Sequence, residues 1–115
     1  MAGVNDPALR LQWKQMGAGF VVTEFTNIHS IVAKEKLQTI QEFIEYSDQE
    51  QPLSIQLFGS DLIALEKAAK IVEPFFDIID YNMGYPAPHI TKQMAGGALL
   101  QEVNLNKYST LLSML

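Results

Sequence analysis

The sequence predicts an α/β protein built on parallel strands, and three observations carry that prediction. Helix-like and strand-like segments alternate in the order α-β-α-β-α-β-α. The connections between them are only a few residues long, the rhythm of consecutive βα units. The strand candidates also hold near-continuous apolar stretches, Val21-Val22 and Ile78-Ile79, as expected of strands covered on both faces.

Each element has a local cause. Asp6-Pro7 is a helix start, with a carboxylate at the N-cap and proline at the first helical position. Leu9, Trp13 and Met16 follow at helical spacing, and Gly17 stops the helix. Residues 20–25 (FVVTEF) form a β-branched and aromatic run of strand length. From 27 to about 46 the pattern is that of a long helix, with Ile28, Ile31, Ile40, Phe43 and Ile44 as its apolar stripe. Pro52 opens a second strand at 53–58 (LSIQLF). Ser60 or Asp61 caps a third helix in which Leu62, Leu65, Ala69 and Val72 share a face. Pro74 ends it, and a third strand follows at 76–82 (FDIIDYN). A loop rich in glycine and proline at 83–88 then leads to a helical region from about 96.

Composition narrows the function classes. The 115 residues are 48% hydrophobic and 18% charged, which suits one globular domain. With no cysteine, disulfides, thiolate metal sites and a cysteine nucleophile are excluded, and two histidines cannot make a histidine-rich metal cluster. No apolar run approaches the ~20 residues of a membrane span. The N-terminus lacks the basic and apolar regions of a signal peptide, so the expected location is cytoplasmic. A net charge of −5 argues against autonomous nucleic-acid binding, DNA included.

Each strand carries a large polar residue near its carboxyl end: Glu24, Gln56 and Asn82. In parallel α/β folds that is where ligands sit. Strand periodicity puts Gln56 on the face of Ser54 and Phe58, and Asn82 on the face of Asp80 and Ile78. Each of these residues would equally serve to satisfy backbone groups where a strand breaks into a loop. No glycine-rich phosphate turn of Rossmann or Walker type is present. Gly96-Gly97 opens a helix and could face an anion, but a tight helix start explains it as well. His29 and Lys34 read as the solvated side of the long helix, and Trp13 as a core or outer-layer residue.

The run Ile55-Gln56-Leu57-Phe58-Gly59-Ser60, then Ala68-Ala69-Lys70, then Asp77-Ile78-Ile79-Asp80-Tyr81-Asn82-Met83-Gly84, resembles the tRNA-dihydrouridine synthases. The resemblance continues through Pro86-Ala87-Pro88, Lys92-Gln93 and Ala98-Leu99-Leu100. It reaches back to Met1-Ala2-Gly3-Val4, Asp6-Pro7 and Thr23-Glu24, and so covers nearly the whole chain in order. It implies a (β/α)8 barrel that binds FMN at the carboxyl ends of its strands and reduces the C5=C6 bond of uridines in tRNA, with NADPH as reductant. A side chain cannot supply a hydride, so the cofactor does, and the protein contributes positioning and a proton donor.

By that resemblance Met1 and Ala2 fall on a stretch whose backbone lies against the flavin. Gln56 falls on a glutamine that hydrogen-bonds the flavin ring, a role suited to an amide that both donates and accepts. Asn82 falls on an asparagine near the uracil. Tyr85 stands at the proton-donor position, where the family has cysteine. Tyrosine titrates at about 10 against about 8.5 for cysteine, and its oxygen lies farther from the backbone, in space the uracil would need. Met94 stands where the family has glycine, and His89 where it has a basic residue.

A complete barrel takes ~250 residues, so this chain is expected to be a single partial FMN-binding segment over 1–115, from the tip of strand one through helix four. The expectation includes a partner for the sheet edges, either a missing half-barrel or a second copy. Three functions stay open: a segment of a tRNA-dihydrouridine synthase with impaired chemistry, a non-catalytic half-barrel that binds flavin or an RNA base, and a non-functional truncated remnant.

Overall fold

The computed structural model describes residues 5–34 and 44–83. They form three parallel strands in one open sheet, of order β1-β2-β3. The elements are α1 (Pro7–Gln15), β1 (Val21–Asn27), α2 (Ile28–Val32), a 3-10 turn (Asp48–Glu50), β2 (Leu53–Phe58), α3 (Leu62–Val72) and β3 (Ile78–Tyr81). The α/β class and the parallel sheet are as the sequence predicts, and three consecutive parallel strands with their helices are the arrangement of a barrel segment. Helix four, Met94 and Gly96-Gly97 lie outside the described residues.

One face of the sheet carries the core. Leu53, Ile55 and Leu57 of β2 are at most 1% exposed and pack with Ile28 and Ile31 of α2 and with Ala64, Leu65, Ala68 and Val72 of α3. The α3 face is thus close to the one read from its periodicity, with Asp61 as the cap: its carboxylate accepts from the backbone N–H groups of Ile63 and Ala64. Strand periodicity turns Ser54, Gln56 and Phe58 away from those helices. Parallel register sets Val22 beside Ser54, Phe25 beside Gln56, and Asp80 beside Gln56.

Gly59 ends β2 at φ 156°, and a Cβ there would overlap the Ile28 side chain. Its carbonyl accepts a 2.5 Å hydrogen bond from the Tyr81 hydroxyl, tying the ends of β2 and β3 together. Gly59→Ala is expected to cost about 1–3 kcal/mol through overpacking of the α2 contact. It would lower the urea midpoint with little change in slope. An unaltered midpoint would show that α2 yields freely.

Four details differ from the sequence reading. Helix α1 starts and stops as expected, with Asp6 accepting from the Leu9 N–H and Gly17 at φ 97°. Its inward face is nevertheless a different one: Trp13 is 41% and Met16 85% exposed, while Arg10 is 1% exposed. The cause is an ion pair with Glu50 that draws Arg10 inward. Strand β1 runs later than 20–25, because an irregularity between Val22 and Phe25 lets it continue to Asn27, whose side chain then caps α2. Strand β3 is shorter than 76–82. Phe76 is drawn into the core beside Tyr46, and the Asp77 carboxylate accepts from the Leu53 N–H. The long helix read over 27 to about 46 begins at Ile28, but Glu45 has a left-handed φ of 46° and cannot continue it. Residues 35–43 lie outside the described part.

Candidate functional site

On the face of the sheet turned away from α2 and α3, the carboxyl ends of β2 and β3 bring three polar side chains together. The Gln56 amide nitrogen donates to the Asp80 carboxylate at 2.5 Å. The Asn82 amide nitrogen donates to the Gln56 side-chain oxygen at 3.2 Å. All three residues are half-buried. Their meeting follows from register: Asp80 lies directly beside Gln56, and Asn82 is two residues on, along the same face.

Backbone hydrogen bonds hold the strands behind the three. The Asn82 backbone N–H continues the ladder to the Leu57 carbonyl at 2.8 Å. On the other side, the irregularity in β1 places the Thr23 hydroxyl where a ladder carbonyl would be, and it accepts from the Gln56 backbone N–H at 3.3 Å. The same hydroxyl donates to the Glu24 carbonyl at 2.9 Å. Bulges of this kind re-aim side chains beside functional sites. Phe25 and Phe58 form an edge-on aromatic pair, 5.0 Å between centroids, on the same face.

Glu24 does not join this group. Its carboxylate accepts from the Asn5 N–H at 3.0 Å, and the Asn5 side chain donates to the Val22 carbonyl at 2.6 Å. These bonds hold Asn5, just before α1, against β1. A cleft of about 370 Å³ lies there, lined by Asn5, Asp6, Arg10, Glu24, Thr26 and Glu45 among others. Its three acidic side chains do not suit a phosphate or RNA. Of the three strand-end residues, Gln56 and Asn82 meet each other beside Asp80, while Glu24 pairs with Asn5.

Asp80 is the residue that the sequence reading passed over. The signal was present in the alternation of Ile78, Asp80 and Asn82, but the cross-strand register that sets Asp80 beside Gln56 is not visible in one strand. Met1, Ala2, Tyr85 and His89 lie outside the described residues. His29 is exposed on α2, as expected of a solvated position. Among the described residues no group of three or more His, Cys, Asp or Glu could hold a metal ion. Nor is any described helix long and apolar enough to cross a membrane.

Two carboxamides and a carboxylate in this order can recognise a donor–acceptor edge of a ring. Neither amide is a practical proton donor to carbon, so any proton transfer falls to another residue.

The family model for dihydrouridine synthase matches residues 1–109. The chain belongs to the dihydrouridine synthase family. Its similarity to curated proteins agrees. It is 35% identical over 108 residues to tRNA-dihydrouridine synthase B of Salmonella typhimurium, covering 93% of this chain and 33% of the relative. It is 38% identical over 109 residues to tRNA-dihydrouridine synthase B of Proteus vulgaris, covering 91% and 32%. To the protein of that name from Escherichia coli K12 it is 35% identical over 102 residues, covering 88% and 31%. The chain thus spans about a third of the length of these relatives. For a dihydrouridine synthase segment, the three parallel strands and their helices are consistent with part of a (β/α)8 barrel.

Proposed function

We propose that this chain supplies the Gln56–Asn82 side of a flavin and uracil site for the reduction of uridine to dihydrouridine in tRNA. The observation that carries the proposal is the ordered set Asn82, Gln56 and Asp80 at the carboxyl ends of two adjacent parallel strands, in a chain of the dihydrouridine synthase family.

The residues fit FMN. Gln56 is half-buried, and its bonds to Asp80 and Asn82 leave one N–H and one lone pair on its amide, the complement of a ring edge carrying both a carbonyl and an N–H. Gln56 would hold that edge, Asn82 would lie toward the uracil, and the backbone of Met1 and Ala2 would line the flavin. FMN, when bound and recharged by NADPH, supplies the hydride for the uracil C5=C6 bond. The chain's own part is to orient the rings and to place the residue at position 85 near C5.

Tyr85 favours a second reading in which the pocket is kept and the normal proton transfer is lost. A phenol is a weaker acid than a thiol, and its oxygen reaches into space that the substrate base would fill. In either reading the sheet edge beyond β3 is covered by another part of a barrel or by a second copy, because exposed parallel edges invite pairing. The chain is expected to elute from size-exclusion chromatography as an associated species. A compact monomer with cooperative unfolding would contradict that.

Flavin absorbance of the purified chain, before and after incubation with excess FMN, tests the cofactor. Retained yellow colour supports the pocket, and a chain that stays colourless removes both flavin-based readings.

A further inference from the structure

We propose that Asp80 is a positioning residue that fixes the donor–acceptor order of the Gln56 and Asn82 carboxamides, and thereby which edge of a ring this face can accept. For its ligand the inference rests on the flavin reading above; for the order of the amides it rests on geometry alone.

A carboxamide can turn by half a rotation and exchange its nitrogen for its oxygen, with almost no change of shape. For a binding residue that exchange is decisive, because it turns a donor into an acceptor. In Gln56 one neighbour settles the matter. The Asp80 carboxylate, 2.5 Å away, accepts and does not donate, so the Gln56 nitrogen must face it. The reverse orientation would press two acceptor oxygens together at that distance. With the nitrogen committed to Asp80, the Gln56 oxygen faces Asn82, whose amide nitrogen donates to it at 3.2 Å. The order of donation therefore runs from Asn82 to Gln56 to Asp80.

The backbone makes this order hard to escape. Parallel register sets Asp80 directly beside Gln56, and Asn82 follows on the same face. The Gln56 N–H is held by the Thr23 hydroxyl and the Asn82 N–H by the Leu57 carbonyl, so neither residue can shift along its strand to find another partner. The hydrogen bond to the carboxylate is charge-assisted, which makes it the strongest link of the series. What remains on the Gln56 amide is one N–H and one lone pair in fixed positions. An imide edge, with adjacent C=O and N–H groups as on a flavin or uracil ring, satisfies both in one orientation. The inverted ring sets carbonyl against carbonyl and N–H against N–H, and buried groups left unpaired in this way are what give polar sites their selectivity.

The test compares the 15N-labelled 115-residue chain with Asp80→Asn, which keeps the shape but allows either amide order. Without ligand, one Gln56 side-chain amide proton of the wild type is expected well downfield of its ordinary position, and to return toward it in Asp80→Asn. In FMN titrations followed by flavin fluorescence, Asp80→Asn is expected to bind about tenfold more weakly, the loss of one charge-assisted bond. Two results would overturn the inference: Gln56 amide protons at ordinary positions in the wild type, or equal FMN affinity in the two proteins. A wild type that shows the Asp80-dependent signal yet binds no FMN would support the amide order and defeat the flavin reading instead.

Discussion

Replacing Arg10 by alanine is expected to destabilise the chain by about 3–5 kcal/mol, the range for removing one partner of a buried ion pair. Arg10 is 1% exposed and Glu50 0%. The guanidinium donates through Nε to Glu50 at 2.5 Å, through one Nη to the Asn5 carbonyl at 2.6 Å, and through the other to the Glu45 carbonyl at 2.7 Å. The second Glu50 oxygen accepts from the Ser47 N–H at 2.7 Å, closing a capping box around the 3-10 turn. Alanine would leave a carboxylate and two carbonyls buried without their donor, and would release Glu45 from its left-handed backbone. Lysine would not substitute, because one ammonium cannot copy a planar fork with three separate acceptors.

A total stability of about 5–15 kcal/mol is usual for a domain, so a loss of this size is a large fraction of it. Urea denaturation followed by circular dichroism reads it as a large fall in midpoint. The exposed pair Lys70–Glu66, 2.6 Å apart on α3, provides the contrast. The Lys70 ammonium holds the Glu66 carboxyl below its usual range, first by the hydrogen bond and then by charge, yet both side chains are solvated. Lys70→Ala should leave the midpoint in place. Similar effects from Arg10→Ala and Lys70→Ala would refute the structural role given to Arg10.

The second large effect concerns chemistry. Tyr85→Cys is expected to raise the rate of uridine reduction by roughly 10²–10⁴-fold, the usual contribution of a positioned acid or base. Two causes act in the same direction: the thiol is the stronger acid, and its shorter reach clears the space of the base. The assay requires a full barrel, so the comparison belongs in a chimaera in which residues 1–109 replace the matching third of the Escherichia coli relative. Single-turnover reduction of tRNA would be measured with tyrosine and with cysteine at position 85. Equal rates would defeat the proton-donor argument.

How far the molecule could be read from its sequence depended on whether the deciding contact was local. Strand β2 was legible to the residue, since Pro52 and Gly59 bracket a run in which Leu53, Ile55 and Leu57 alternate with Ser54 and Gln56. The start of α1 was legible because Asp6 and Pro7 form a self-contained cap. The face that α1 turns inward was not, because Glu50 lies 40 residues away and overrides the apolar spacing of Leu9, Trp13 and Met16. The ends of β1 and β3 shifted for related reasons. A bulge at Thr23 and Glu24 extends the first, and the packing of Phe76 with Tyr46 shortens the second.

The site divides along the same line. Gln56 and Asn82 could be picked out as polar residues at strand ends, and motif resemblance gave them roles. Glu24 met the same strand-end criterion, but its carboxylate pairs with the Asn5 N–H. Asp80 needed the register between β2 and β3 before it became more than an acidic residue near a strand end.

The face carrying Gln56, Asp80 and Asn82 is the proposed ligand face of this dihydrouridine synthase segment. A titration of the 15N-labelled chain with FMN, followed through side-chain and backbone amide signals, tests it most directly and detects weak binding. Saturable shifts are expected at the Gln56 and Asn82 side-chain amides and at the carboxyl ends of β2 and β3, with α3 unaffected. No shifts at millimolar FMN, or shifts confined to the acidic cleft between α1 and β1, would contradict it.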